Sequence, residues 1–229
     1  MFSFYGSKYS RSLAGLYPAP KHKLVIEPFA GSAGYSLAHR HPDRDVLLID
    51  SDPRVVGVWR YLLRASPGEI RRLPAVVRHL DDHPDLPQEA RWLIGWWLAK
   101  ANASPRPRPS AWVRSRASNC RSPGGHWGEI VRERLARQAA TVRHWRVIQG
   151  DYRDAPGVAA TWFVDPPYRG RAGESYAKRF CDHHQLGDWC RTRRGQVVVC
   201  EHAGASWLPF RPLGSGLYRD RKEVYWSRG

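Results

Sequence analysis

The chain has 229 residues, 42% of them hydrophobic, enough for one full core and a sizeable insert. Its 37 Lys and Arg against 21 Asp and Glu leave a formal charge of +16, which favours a polyanionic partner, nucleic acid first. No apolar stretch is long enough to span a bilayer, and the start lacks a charged region followed by an apolar core, so a cytoplasmic protein without a membrane partner is expected.

The first segment, Phe4-Tyr5-Gly6-Ser7-Lys8, joins an aromatic platform to a cation. Leu24-Val25-Ile26 reads as a short buried strand. It runs into Glu27-Pro28-Phe29-Ala30-Gly31-Ser32-Ala33-Gly34, where Gly31 and Gly34 let backbone approach a ligand before a helix over 35–40. Val46 to Ile49 is a second strand. It closes on Asp50, where an acid can take the hydroxyls of a ribose. A helix follows from Pro53 to Arg64, with proline in its first turn. This order opens a doubly wound α/β domain with an adenosine-type cofactor. Two glycines, not the three of the dinucleotide fingerprint, argue against NAD.

The middle breaks the pattern. Helices are expected over 67–80 and 87–102, the second buried because Trp92, Leu93, Ile94, Trp96, Trp97 and Leu98 surround it. Ser104 to Trp127 loses periodicity and reads as a long basic loop, with Pro105-Arg106-Pro107-Arg108-Pro109 followed by Arg114, Arg116 and Arg121. A helix over 129–144 ends this insert.

The α/β pattern then resumes. Arg146 to Gln149 is a strand before Gly150-Asp151-Tyr152, and Thr161 to Val164 is a strand before Asp165-Pro166-Pro167-Tyr168. A helix over 182–193, a valine strand over 196–200 and a closing hairpin or edge pair over 217–226 complete the chain. Glu201-His202 reads as a polar pair at a strand end. The four cysteines, Cys120, Cys181, Cys190 and Cys200, form no Cys-x-x-Cys pair, and free thiols are expected. Cys181, His183, His184 and Cys190 are too irregularly spaced for zinc, so no metal is expected and an ordinary exposed His pair is the simpler reading.

The Asp-Pro-Pro-Tyr turn carries the chemistry. An exocyclic amine on a nucleobase is a poor nucleophile, because its lone pair is delocalised into the ring. A carboxylate and a fixed carbonyl can accept its two hydrogens and draw the lone pair out. Prolines hold that carbonyl still, and a tyrosine face can stack on a base that has left its helix.

These segments, in this order, resemble the DNA adenine-N6 methyltransferases of the Dam type, including phage and restriction-associated members, over nearly the whole chain. The resemblance implies a Rossmann-like class I S-adenosylmethionine-dependent methyltransferase fold. Its catalytic domain would be 1–53 with 146–229, and 54–145 a helical and loop target-recognition insert. It implies S-adenosylmethionine as cofactor and double-stranded DNA as partner, with no obligate protein partner evident. Phe4, with Tyr5, would lie against the cofactor adenine, and Lys8 would order the pocket. Pro28, Phe29, Ala30, Gly31, Ser32 and Gly34 would wrap the methionine part, and Asp50 would bind the ribose. Asp151 and Tyr152 would border the adenine. Asp165 and the Pro166 carbonyl, held by Pro167, would take the target amine, and Tyr168 would stack on the flipped base. Arg106, Arg108, Arg114, Arg116 and Arg121 would contact DNA. The alternatives are an RNA adenine or DNA cytosine-N4 methyltransferase of the same fold, and a DNA-binding module without turnover.

Overall fold

The apolar runs pair side by side in a single sheet. β1 (Leu24–Glu27), β2 (Asp45–Asp50), β3 (Arg146–Gln149), β4 (Ala160–Val164) and β5 (Gly195–His202) run parallel, in the order β3-β2-β1-β4-β5. The two-residue β6 (Arg211–Pro212) lies at the far edge. β7 (Glu223–Arg228) sits between β5 and β6, antiparallel to both. The order reverses between β1 and β4, as in doubly wound sheets. With one antiparallel strand set in beside β5, this is the Rossmann-like class I methyltransferase arrangement. The computed structural model describes residues 1–4, 8, 15–99, 102, 104–118, 125–168, 182–214 and 223–229, with 116–118 as backbone only.

Parallel strands are usually covered on both faces, and β1, β2, β4 and β5 are buried in this way, while the edge strand β3 is largely exposed. Successive side chains alternate across β4. Trp162 and Val164 join Ile26, Leu47, Ile49, Val197 and Val199 on one face, with Leu186 and Cys190 of the helix His183–Thr192. Phe163 points the other way, stacked on Tyr35 at 4.1 Å and 5° and met edge-on by Tyr17 at 5.3 Å. The buried Trp162 indole donates to the Arg194 carbonyl at 2.9 Å, so its polar edge is satisfied.

The described residues divide into two compact units. Lys8–Asp52 with Arg146–Gly229 carries the sheet, and Met1–Ser7 with Pro53–Trp145 is helical. The start of the chain, expected with the sheet, belongs to the helical unit. Phe2 packs on Trp59 and Trp96, and Phe4 on Trp96.

The helices are α1 (Gly34–Ala38), α2 (Pro53–Arg64), α3 (Pro67–Arg72), α4 (Gln88–Trp97), α5 (Ala111–Ser118), α6 (Glu129–Ala140) and α7 (His183–Thr192). α6 stops at Ala140, short of the expected 144, and three other helices depart for identifiable reasons. α3 stops early because Leu73, at ψ 144°, is extended ahead of Pro74. α4 stops at Trp97 because its last carbonyls are taken from elsewhere. Gly95, Trp97 and Leu98 accept from the N–H groups of Arg106, Trp127 and Ser110 at 3.0, 3.2 and 2.8 Å. α5 lies inside the stretch expected to be loop. The Ser110 hydroxyl caps it by accepting from Val113 N–H at 3.3 Å, and Val113 is its one buried apolar side chain among residues 111–115, too little to make a periodic signal. Residues 217–222, part of the expected closing hairpin, lie outside the described residues. β7 is an interior strand rather than an edge.

Candidate functional site

The C-terminal ends of the parallel strands gather acids. β1 ends at Glu27, β2 at Asp50, and Asp165 follows β4. β5 ends with Glu201-His202. Because β7 is antiparallel, its first residue, Glu223, pairs with His202 and arrives at this same edge. Alternation sorts the side chains further. Glu27 pairs with Leu48, and Cys200 with Tyr225, so Glu27, Asp50, Cys200 and Glu223 share the face of Phe163. Asp165 continues that face one step beyond the strand. Glu201 belongs to the opposite face.

Four side chains meet around Asp165. The Lys8 ammonium lies 3.1 Å from Asp165 Oδ1, 3.6 Å from Glu223 Oε1 and 4.8 Å from the centre of the Tyr168 ring. Glu223 Oε2 accepts from the Tyr168 hydroxyl at 2.8 Å and from the Tyr17 hydroxyl at 3.0 Å. Burial alone would lower the Lys8 pKa, but the Asp165 and Glu223 carboxylates outweigh it and hold Lys8 above its ordinary value. Burial pushes the Asp165 carboxyl up, against the pull of Lys8. It raises Tyr168 well above the usual phenol range, with Asp165 adding to the effect. Glu27, 2% exposed, accepts from Ser36 N–H at 2.8 Å. Burial pushes its carboxyl up to about 8, so it is largely protonated at neutral pH.

The glycine turn closes on Asp50. Gly31, at φ 45°, donates its N–H to Asp50 Oδ2 at 2.9 Å, and Asp52 N–H reaches Oδ1 at 2.9 Å. The second left-handed residue is Ala33, at φ 50°, while Gly34 begins α1. Burial is the largest influence on Asp50 and carries its carboxyl up to about 6, against those N–H donors. Each carboxylate oxygen retains a lone pair for a hydroxyl. Pro28, Ala30, Ser32 and Gly34 are buried, and Phe29 is half-buried.

Tyr152, expected to border the cofactor adenine, is committed to protein contacts: it is 2% exposed, stacks on Phe29 at 5.8 Å, meets Trp189 at a T-shaped angle and has the Arg153 guanidinium over its ring. Asp151 caps the turn that follows it and pairs with Arg153 at 2.7 Å. Phe4 lies in the helical unit, and Tyr5 lies outside the described residues.

The turn itself is held from behind. Pro166 is buried, and the Pro167 carbonyl accepts from His183 Nε2 at 3.1 Å. That nitrogen is 3.8 Å from Glu201 Oε2, which also accepts from the Trp207 indole at 3.1 Å. His183 is therefore not an exposed member of a His pair, and Glu201 is a buried anchor rather than a polar strand end. Alternation alone contained the second signal: Glu201 has the parity of Val197 and Val199, which face the core. Cys190 and Cys200 are buried free thiols, while Cys120 and Cys181 lie outside the described residues. No group of three metal-ligating side chains occurs among the described residues.

In the helical unit, Arg106, Arg108 and Arg114 are exposed. They line an open groove of about 1050 Å³ with Asn102, Pro107 and Trp112. The Asn102 side-chain nitrogen is buried there without a hydrogen-bond partner among the described residues. Arg121 and the Arg116 side chain lie outside the described residues. No described helix is long and apolar enough to cross a membrane.

The chain is similar over 71 residues to proteins named ribosomal RNA small subunit methyltransferase H. It is 34% identical to that of Rhizobium etli, and 32% to those of Rhizobium johnstonii and Rhizobium leguminosarum bv. trifolii. In each case the match covers 31% of this chain and 20% of the relative. The chain thus spans about a fifth of the length of the curated relatives it matches. No family model matches it.

Proposed function

We propose that this chain transfers a methyl group from S-adenosylmethionine to the exocyclic amine of a nucleobase, adenine N6 in duplex DNA being the leading substrate. One observation carries the reading: Asp165 sits half-buried in an Asp-Pro-Pro-Tyr turn at the switch-point edge of the sheet, where doubly wound folds bind ligands.

The donor set fits this cofactor. Asp50 has lone pairs for ribose hydroxyls, and the buried turn from Pro28 to Gly34 offers backbone to the methionine part. The Asp50 and Asp165 carboxylates at one edge favour a cationic ligand over the two phosphates of a dinucleotide. S-adenosylmethionine, when bound, supplies an electrophilic methyl group on a sulfonium.

This chain's own residues do the rest. The Asp165 carboxylate accepts one hydrogen of the target amine, and the Pro166 carbonyl accepts the other. Both bonds draw the lone pair out of the ring. Asp165 then holds the proton that the methylated amine releases, for which its raised carboxyl pKa suits it. Tyr168 supplies the stacking face. The His183 contact keeps the turn from shifting, and fixed geometry is the main source of rate. The arginines of the groove take phosphates and set register on the nucleic acid.

A second reading, methylation of ribosomal RNA, is favoured by the 71-residue similarity to the three ribosomal RNA methyltransferases. Labelled S-adenosylmethionine is incubated with unmodified genomic DNA and, separately, with ribosomal RNA, and the nucleosides are separated. Label in N6-methyladenine from DNA supports the first reading. Label in RNA alone supports the second, and N4-methylcytosine keeps the chemistry but changes the base. No label in either, with donor binding shown, overturns both.

A further inference from the structure

We propose that Glu223 is a positioning residue of the transfer site, fixing the Tyr168 ring and sharing the Lys8 charge so that Asp165 keeps acceptor capacity for the target amine. The proposal deepens the reading above and rests on it for the role of Asp165.

The geometry makes the case. One oxygen of Glu223 takes two phenols, Tyr168 at 2.8 Å and Tyr17 at 3.0 Å. The other faces Lys8 at 3.6 Å. Lys8 stands over the ring that Glu223 anchors and beside the acid that would take the amine. Without Glu223, the Lys8 ammonium would lean more fully on Asp165. A tighter, desolvated ion pair there would compete with the amine for the same lone pairs. With Glu223, the ammonium is divided between two acids, and the phenol that must stack on a base is tethered at its far end. The local chain does not suggest this. The arrangement arises because antiparallel β7 brings its first residue to the edge where β4 ends.

Glu223→Gln tests the proposal. The amide keeps the shape and one acceptor but loses the charge. Steady-state transfer should show kcat down about 10- to 100-fold, the range a small misplacement of reacting groups produces. KM for nucleic acid, donor affinity and melting temperature should stay near wild type. A second readout does not depend on turnover. Tyrosine is labelled with carbon-13 at the ring carbon bearing the hydroxyl, and the Tyr168 line is assigned with Tyr168→Phe. In Glu223→Gln that line should shift or broaden. An unmoved line overturns the positioning role whether or not the protein methylates anything. A moved line with kcat unchanged overturns the link to Asp165. A wild-type protein that transfers no methyl group, with the Tyr168 line still moving, would refute the reading of function and leave the tether itself standing.

Discussion

The Asp165 turn and the segment from Pro105 to Pro109 are both short, proline-rich and without period, yet they are held in opposite ways. The turn is held largely by side chains: Lys8 on Asp165, Glu223 on Tyr168, and His183 on the Pro167 carbonyl. The segment is held by backbone: Arg106 N–H on Gly95, Leu80 N–H on the Pro107 carbonyl, and Ser110 N–H on Leu98. A region tied by its side chains has committed them to one geometry, which suits a reacting centre. A region tied by its backbone leaves its side chains to solvent, which suits a long, charged and sequence-tolerant ligand. On the proposed function, the two proline clusters would divide the work between positioning and capture.

The largest effect is expected at the turn. Asp165→Ala should lower methyl transfer by at least about 10³-fold, since it removes both the acceptor and the group that takes the proton. Donor and nucleic-acid binding should largely persist, and retained activity would sink the assignment. Next comes the segment. Arg106→Ala with Arg108→Ala should weaken nucleic-acid binding about 10-fold or more and reduce the salt slope by roughly two. A slope equal to wild type would remove these residues from the interface.

The anchoring of the segment can be broken from below. A Cβ at Gly95 would stand 2.8 Å from Pro105 Cβ and 2.9 Å from the Arg106 carbonyl. Gly95→Ala should therefore cost about 1–3 kcal/mol in a denaturant melt and loosen binding while sparing donor affinity. A neutral substitution would mean that the segment is not fixed by this contact.

The smallest effect is a pH dependence at Asp50. Its carboxyl is raised in the folded state to about 6 from the ordinary 3.8. Between those values the folded chain holds a proton that the unfolded chain has released. Stability from this group is therefore lost as pH rises through the window. Donor affinity runs the other way, gaining a few-fold as the carboxylate forms above about pH 6. Asp50→Asn should flatten the donor profile, and an unchanged profile would detach Asp50 from the ribose.

Sequence pattern located most of the sheet, because β1, β2, β4 and β5 are apolar runs buried on both faces, and such runs announce themselves. It also placed Asp50 and Asp165 at strand ends. It failed where structure depends on long-range partners. α4 ends because distant N–H groups claim its carbonyls, and α5 has a cap but almost no apolar stripe. Glu223 is 55 residues from Tyr168 and reaches it only through an antiparallel pairing that no local window contains. Tyr152 was legible as an aromatic after an acid, but its burial against Phe29 and Trp189 was not.

Capture and chemistry, if they are divided in this way, separate in one assay. Single-turnover transfer of labelled methyl groups is followed across nucleic-acid concentration for wild type, Asp165→Ala and the Arg106/Arg108 double variant. Asp165→Ala should bind normally but show almost no rate at saturation. The arginine variant should need more nucleic acid but reach the wild-type rate once saturated. A saturated rate that falls with the arginines, or one that survives the loss of Asp165, would contradict the division.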